Sequence, residues 1–150
     1  MNEKLSFETI ENDAYPLLIE IWEASVRATH HFLKEEDINT LKPLILEHYL
    51  DAVALRVSKN ENDEILGFMG VAADNLEMLF LHPHNLRKGI GKQMLRYAIQ
   101  EMGVKKVDVN EQNKGAIAFY LQSGFKVTGR SEKDPLGKPY PILHMSLEAC

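Results

Sequence analysis

One segment in the middle of the chain limits the possible folds more than any other. Residues 75–81 form an apolar run typical of a strand, residues 82–88 form a short polar turn, and Gly89 and Gly91 lead into a helical pattern. The first N–H groups of a helix have no partner inside the helix, and glycines let an anion approach them closely. The segment therefore predicts a phosphate-binding turn between a strand and a helix.

Two common nucleotide motifs do not match this segment. A P-loop requires Ser or Thr directly after its lysine, whereas Lys92 is followed by Gln93. A dinucleotide fingerprint requires three glycines in the first turn of a strand–helix–strand unit, whereas this turn has two glycines and lies in mid-chain. The P-loop interpretation therefore fails, and the segment matches the dinucleotide fingerprint poorly.

The remaining pattern is a strand, then basic residues, then Gly-x-Gly at the start of a helix. It resembles motif A of the GNAT superfamily of acetyl-CoA-dependent N-acetyltransferases, in which this loop holds the pyrophosphate of coenzyme A. The family motif is Gln or Arg, two residues, Gly, one residue, then Gly or Ala. Leu86 occupies the Gln/Arg slot, and Arg87 follows it. Because most of the binding in the family uses backbone N–H groups, we expect this departure to change affinity more than ligand identity.

A second pattern downstream agrees with the first. Residues 107–125 are typical of a strand, a helix capped by Asn113, and a stop at Gly124 before the next strand. Their order resembles motif B of the same family, in which Asn, Ala, Phe-Tyr and Gly-Phe recur at these intervals. Residues 29–32 and 127–141 look like one bacterial subgroup, some of whose members are thought to act on protein lysines. The resemblance therefore spans nearly the whole chain.

Composition excludes several other classes of protein. With 150 residues, 45% of them hydrophobic, the chain has the size of one globular domain covering residues 1–150. Its 17 basic and 22 acidic residues give a net charge of -5, which argues against a nucleic-acid partner. No run approaches the roughly 20 apolar residues that cross a bilayer. Cys150 is the single cysteine and residues 1–10 are too polar for a signal peptide, so we expect a cytoplasmic protein.

Hydrophobic periodicity predicts a mixed α+β chain with helices on both sides of one sheet. The resemblance implies the GNAT fold, a mostly antiparallel twisted sheet of about seven strands flanked by about four helices. Pro43 should kink or split the second helix. The predicted elements are a strand at 4–10, a helix around 17–26, a helix at 35–50, strands at 52–58, 64–73 and 76–81, a helix at 90–102, a strand at 104–109, a helix at 114–123, and strands at 125–129 and 140–147.

The resemblance also implies a site for acetyl-CoA and no metal. In the family, the strand before the loop and the strand after its helix splay apart, and pantetheine lies between them. An N–H near Leu79 or Phe80 would polarise the thioester carbonyl, while Asn110 and Asn113 would meet the pantetheine arm from the other side. Helix N-capping is a rival role for Asn113. The implied binding residues are Met78, Leu79, Phe80, Leu81, Leu86, Arg87, Lys88, Gly89, Ile90, Gly91, Lys92, Asn110, Asn113 and Tyr120.

Acetyl transfer to an amine needs a neutral amine, a place for the developing oxyanion and a proton for the departing thiolate. Tyr120 occupies the acid position of the family, and a phenol with a reference pKa of about 10 is protonated at neutral pH. The base is chosen from His30, His31, Glu77 and His144. We favour His30, with a structural histidine at a helix end as the alternative, and keep Glu77 because it starts the strand that meets the thioester.

The first functional hypothesis is transfer of an acetyl group from acetyl-CoA to a primary amine by direct attack in a ternary complex. Small amines and the lysines of peptides or proteins all fit as acceptors, and a homodimer is compatible with the sequence. A non-catalytic acyl-CoA-binding sensor is the alternative. A nucleotide-binding protein is a third hypothesis, which predicts stabilisation by ATP or NAD rather than by coenzyme A.

Overall fold

The structure is a computed structural model that describes residues 4–86 and 88–147. Within these residues the chain forms seven strands and four α-helices, as expected. The strands are β1 (Ser6–Glu8), β2 (Ala54–Lys59), β3 (Ile65–Ala72), β4 (Asn75–Leu81), β5 (Lys106–Asn110), β6 (Phe125–Ser131) and β7 (Ile142–Leu147). The helices are α1 (Tyr15–Thr29), α2 (Glu35–Leu44), α3 (Ile90–Met102) and α4 (Lys114–Gln122).

The strands form one sheet in the order β1-β2-β3-β4-β5-β7-β6. Every neighbouring pair is antiparallel except β4 and β5, which are parallel and joined only at Asn75↔Lys106 and Leu76↔Val107. Glu77 is an extra residue in the β3–β4 register, a β-bulge that increases the local bend of β4. Beyond Leu76 the two parallel strands therefore diverge, which confirms the splay that the resemblance implied.

Two hydrophobic clusters lie on opposite faces of the sheet. Phe68 and Met69 are both fully buried but belong to different clusters, because successive residues of a strand point to opposite faces. Met69 packs in the cluster of α3 and α4, and Phe68 packs in the cluster of α1 and α2, which contains Trp22. The expected helices on both sides of the sheet are thus confirmed.

The segment after α1 shows the effect of Pro43. Helix α2 passes into one π-helical turn at Ile45–Tyr49, where the N–H of Leu50 donates to the carbonyl of Ile45 at 3.0 Å. Proline has no N–H for the helical ladder, so the regular α pattern ends within a residue or two of it. The prediction that Pro43 divides residues 35–50 is confirmed.

Two expectations about the chain ends differ from the structure or fall outside it. The first strand is three residues long instead of spanning 4–10, because it pairs with β2 only at Ser6–Glu8. Cys150 lies outside the described residues. No helix within 4–86 and 88–147 combines the length and apolar character that a bilayer span requires.

Candidate active site

Two cavities lie on either side of the diverging strand β4. The loop-side cavity, bounded by Leu86, Gly89, Gly91 and α4, encloses about 570 Å³. The α2-side cavity, bounded by α1, α2 and residues 134–142, encloses about 480 Å³. His30 and Phe80 line both cavities, so this pair marks the place where their contents would meet.

The loop-side cavity is bounded by the N-terminus of α3. Gly89 is the N-cap with φ of +80°, a left-handed conformation that favours glycine. Gly89 has no side chain to cap the helix, and the first turn holds no acidic residue, so among the described residues nothing acidic competes with an anion for the first N–H groups. Lys92 lines the same wall. This arrangement fits a diphosphate.

The other predicted loop residues differ in whether they line the loop-side cavity. Leu86 lines the cavity and is 38% exposed, whereas Ile90 is fully buried in the core beneath it. Lys88 is exposed and is not part of the described wall. The prediction for Arg87 falls outside the described residues. The loop therefore offers backbone and glycine more than side chains.

Strand β4 separates the predicted contacts into two groups. Leu79 and Leu81 line the loop-side cavity, Glu77 and Met78 line the α2-side cavity, and Phe80 between them lines both. Because β5 leaves β4 after Leu76, the edge of β4 that faces β5 has no strand partner beyond that point. That edge can accept an extended ligand as an added strand.

Hydrogen bonds hold His30 in one tautomer at the junction. The Oδ1 of Asn113 accepts the N–H of Ala116 at 3.2 Å, which leaves its Nδ2 to donate to His30 Nε2 at 3.3 Å. Thr29 Oγ1 donates to the carbonyl of Ser25 at 2.7 Å and must therefore accept from His30 Nδ1, 2.8 Å away. Asn113 is thus the predicted N-cap, and it also orients the ring.

The surroundings of His30 weaken it as a base. Burial, assisted by the charge of neighbouring His31, lowers the pKa of His30 to about 4. The imidazole is therefore neutral at physiological pH, with both nitrogens in hydrogen bonds. The sequence indicated a histidine at this place, but the ring is a weaker proton acceptor than a free histidine.

Tyr120 extends from α4 into the loop-side cavity. Only 7% of the residue is exposed, and its ring packs edge-on against Phe119 and Phe125. No buried side-chain oxygen or nitrogen in the described chain lacks a hydrogen-bond partner. Because the Tyr120 hydroxyl has no partner among residues 4–86 and 88–147, it opens onto the cavity. Burial raises the pKa of Tyr120 and keeps it a phenol.

The α2-side cavity has a different character. Its walls are mainly apolar, including Trp22, Leu41 and Ile45, and its two carboxylates are Glu77 and Asp134. No lysine or arginine of the described chain lines it. Asn110, expected beside Asn113 on the pantetheine arm, lies on this wall instead.

A buried cluster that the sequence analysis missed holds residues 134–141 over this cavity. The hydroxyl of Tyr140 donates to the carboxylate of Asp37, and Lys138 Nζ lies 3.3 Å from the other oxygen of that carboxylate. The hydrogen bond from Tyr140, supported by Lys138, lowers the pKa of Asp37. In the sequence, the one indication of this cluster is Asp37 beside Ile38 in an amphipathic helix. An acidic residue there is equally typical of a helix face exposed to solvent.

No group of three or more His, Cys, Asp or Glu side chains suited to a metal ion occurs in residues 4–86 and 88–147.

Comparison with known proteins agrees with this geometry. A family model for the acetyltransferase (GNAT) domain matches residues 53–127. The peptidyl-lysine N-acetyltransferase YjaB of Escherichia coli K12 is 41% identical over 129 residues, which cover 86% of this chain and 87% of that protein. The solution structure of apo-form YjaB from the same species superimposes with a TM-score of 0.88 at 36% identity, covering 98% of this chain and 99% of that one.

A more distant structure shows the same fold. The PaiA N-acetyltransferase of Thermoplasma acidophilum, crystallised in complex with coenzyme A, has a TM-score of 0.72 at 21% identity and covers 95% of this chain and 99% of its own.

The chain belongs to the GNAT family of acetyltransferases. It is an enzyme that transfers an acetyl group from acetyl-CoA to an amine. The resemblance stated from motifs A and B, and the fold it implied, are thereby confirmed.

Proposed function

We propose that this enzyme acetylates the side-chain amine of lysine in peptides or proteins, by direct attack in a ternary complex. The observation that carries the proposal is the meeting of two unlike cavities at His30 and Phe80. One is built for an anion and an extended arm, and the other for an apolar chain that ends in a cation. The name of the relative from Escherichia coli, a peptidyl-lysine N-acetyltransferase, supports the same acceptor.

On the donor side, we assign the diphosphate of acetyl-CoA to the first turn of α3. The N–H groups that follow Gly89 bind the anion, and Lys92 adds positive charge. Arg87 is proposed to add to this charge. The free edge of β4 then binds the pantetheine arm, and an N–H near Leu79 or Phe80 stabilises the oxyanion that forms at the carbonyl.

On the acceptor side, the α2-side cavity suits a lysine side chain. Lysine places a charged amine on an apolar stem, and the cavity combines apolar walls with Glu77 and Asp134. Asp134 already accepts N–H groups from Leu136 and Lys138, at 3.0 and 2.8 Å. Glu77 makes no such contact in the described chain, and we assign it to receive the incoming ammonium.

The proton steps involve His30 and Tyr120. Glu77 and solvent take the first proton, so that a neutral amine attacks the carbonyl carbon. Attack leaves a positive charge on nitrogen beside a tetrahedral oxyanion, and such a nitrogen is far more acidic than a free ammonium. A weak base such as His30 is then sufficient to accept its proton, provided that Nε2 exchanges its bond to Asn113 for one to the substrate.

Tyr120 acts on the leaving group. Because burial raises the pKa of Tyr120, the phenol is a weaker acid than free tyrosine and a persistent hydrogen-bond donor. We assign it to donate to the departing sulfur, which stabilises the negative charge of the thiolate until the thiolate is protonated. The C–S bond breaks as the C–N bond is retained, giving an amide and coenzyme A.

The test is a thiol-release assay with acetyl-CoA across lysine peptides and small amines, followed by mass spectrometry of the product. Tyr120→Phe should reduce turnover by about 100-fold or more while leaving the affinity for coenzyme A unchanged. Tyr97→Phe is the matched control, since Tyr97 stacks on Phe7 away from both cavities. Acetylation of small amines with none of lysine peptides would contradict the acceptor, and no turnover at all would favour a sensor.

Three broader predictions accompany this proposal. We expect residues 1–150 to act as one domain, because both hydrophobic clusters share one sheet. We also expect a cytoplasmic location, where acetyl-CoA and protein lysines are both present. A homodimer is one compatible assembly, and light scattering of the purified enzyme measures the oligomeric state directly.

A further inference from the structure

Three polar side chains lie together on neighbouring strands outside the two cavities. They are Asp108 on β5, His144 on β7 and Ser131 at the end of β6, and we call them the Ser131 cluster. Asp108 lies directly opposite His144 in the β5–β7 register, and Ser131 lies on the edge strand two residues beyond Gly129, which is the partner of His144 there. The same face of the sheet is therefore shared by all three.

The distances in the Ser131 cluster define a continuous hydrogen-bonded chain. His144 Nδ1 lies 2.6 Å from Asp108 Oδ1, and His144 Nε2 lies 2.7 Å from Ser131 Oγ. A carboxylate can only accept, so His144 Nδ1 carries a proton and donates it. In the tautomer with the proton on Nδ1, Nε2 has a lone pair that accepts the hydroxyl hydrogen of Ser131.

The nearby cations Arg130 and Lys106 do not compete for Asp108 in this series of hydrogen bonds. Arg130 pairs with Glu111 at 2.5 Å, and Lys106 pairs with Asp74 at 3.9 Å, so neither cation is bonded to Asp108. The side chains of His144 and Asp108 are 41% and 45% exposed. Ser131 itself is half-buried at the edge of the sheet, next to these exposed side chains.

A serine bonded to an imidazole, which a carboxylate orients in turn, is the arrangement that activates a hydroxyl for attack on an acyl carbon. We propose that Ser131 is the nucleophile of a second acyl-transfer centre, which hydrolyses small activated carboxylic esters. The open position of the cluster favours small substrates with good leaving groups over substrates that need a deep pocket. This centre is separate from the acetyl-CoA reaction and does not depend on the acceptor proposed above.

The reaction balances in two halves. In the first, Ser131 Oγ bonds to the ester carbon, its proton passes to His144 Nε2, and the C–O bond to the leaving group breaks as that group takes up the proton. In the second, water attacks the acyl-serine, gives a proton to His144 Nε2, and Ser131 Oγ leaves and recovers it. The products are an alcohol and a carboxylic acid.

The experiment treats the purified full chain with p-nitrophenyl acetate, follows nitrophenol release, and locates the acetyl group by mass spectrometry of proteolytic fragments. A fluorophosphonate, which forms a stable adduct with activated serines, is used in parallel. We expect both reagents to modify Ser131, and Ser131→Ala to reduce ester hydrolysis by about 100-fold. Asp108→Asn should reduce it similarly by disturbing the tautomer of His144.

Ser123→Ala is the matched control, because its hydroxyl donates to the carbonyl of Phe119 at 2.8 Å and is not part of the cluster. Circular dichroism verifies that each variant is folded. Modification of lysines or other serines with none at Ser131 would overturn the proposal, as would equal hydrolysis by Ser131→Ala and wild type. If Ser131→Ala were unfolded, fluorophosphonate labelling of the wild-type chain would still decide the question.

Discussion

The two cavities that meet at His30 are built from different parts of the chain. The loop-side cavity uses backbone, the uncapped first turn of α3 and the free edge of β4. The α2-side cavity uses side chains, apolar walls, two carboxylates and a loop held by Asp37. A site built from backbone tolerates changes of residue type, so the proposed donor site could stay constant while the proposed acceptor site changes with the substrate.

The largest effect is expected at the junction, where both cavities depend on the same side chain. His30→Gln should lower kcat by about 100-fold, because the glutamine cannot accept a proton in the transition state. Coenzyme A affinity should stay close to wild type, since we assign the diphosphate to the first turn of α3, away from His30. The exposed neighbour His31→Gln is the control, and a kcat unaffected by His30→Gln would show that the two cavities do not depend on this ring.

The low pKa of His30 should also make the free energy of unfolding depend on pH. The folded pKa of His30, about 4, lies below the unfolded value of about 6.5, so its contribution is complete above pH 6.5. The contribution falls as the pH drops toward 4, because only the unfolded chain takes up the proton. Between pH 7 and pH 5 this loss should reach about 2 kcal/mol. Urea unfolding at both pH values measures it, and His30→Gln should lose correspondingly less stability.

At the α2-side cavity, Asp37→Asn removes the negative charge that holds residues 134–141 through Tyr140 and Lys138. We expect a loss of about 1 to 2 kcal/mol and a higher KM for lysine peptides, with KM for acetyl-CoA unchanged. Because its folded pKa is lowered, Asp37 stabilises the protein above its unfolded pKa of about 3.9 and loses this effect as the pH falls through the folded value. Glu36→Gln, at an exposed neighbouring position, is the control in denaturant and kinetic measurements.

At the loop-side cavity, substitution by alanine should have different effects at Gly89 and at Gly91. Gly89→Ala forces a side chain onto a φ of +80°, at a cost of about 1 to 2 kcal/mol, and should weaken coenzyme A binding by about tenfold. Gly91→Ala should be nearly neutral, since an added Cβ would meet the Phe119 ring at an ordinary 3.6 Å. Calorimetry compares the two, and an equal loss of affinity would mean that the backbone conformation at Gly89 is not what the ligand needs.

The smallest effect is expected from Leu86→Arg, which restores the usual residue of the family motif. Leu86 is 38% exposed at the rim of the loop-side cavity, so an arginine there would add a screened charge near the diphosphate. We expect coenzyme A to bind only a few-fold more tightly at low salt, with less gain at high salt. A gain of more than about 100-fold would show that side chains, rather than backbone, determine the affinity of this site.

The parts of the molecule that sequence reasoning predicted are those determined by local pattern. The element order, the helix entry at Gly89 and the cap at Asn113 each depend on neighbouring residues, and the structure confirms them. Contacts between distant residues could not be read in this way. The bond between Asp37 and Tyr140 joins positions 103 residues apart, and that between His30 and Asn113 joins positions 83 apart. Such pairs carry no periodicity, so only the folded chain brings them together.

The divergence of β4 from β5 has a mechanical consequence. Strands β1 to β4 and strands β5 to β7 are two blocks whose backbones are joined by only two residue pairs. The edge of β4 that faces the gap between them has no strand partner beyond Leu76. An extended substrate arm bound there would make the hydrogen bonds that a neighbouring strand makes elsewhere in the sheet. If the pantetheine arm binds along this gap, as proposed above, it acts as a temporary eighth strand that joins the two blocks of the sheet.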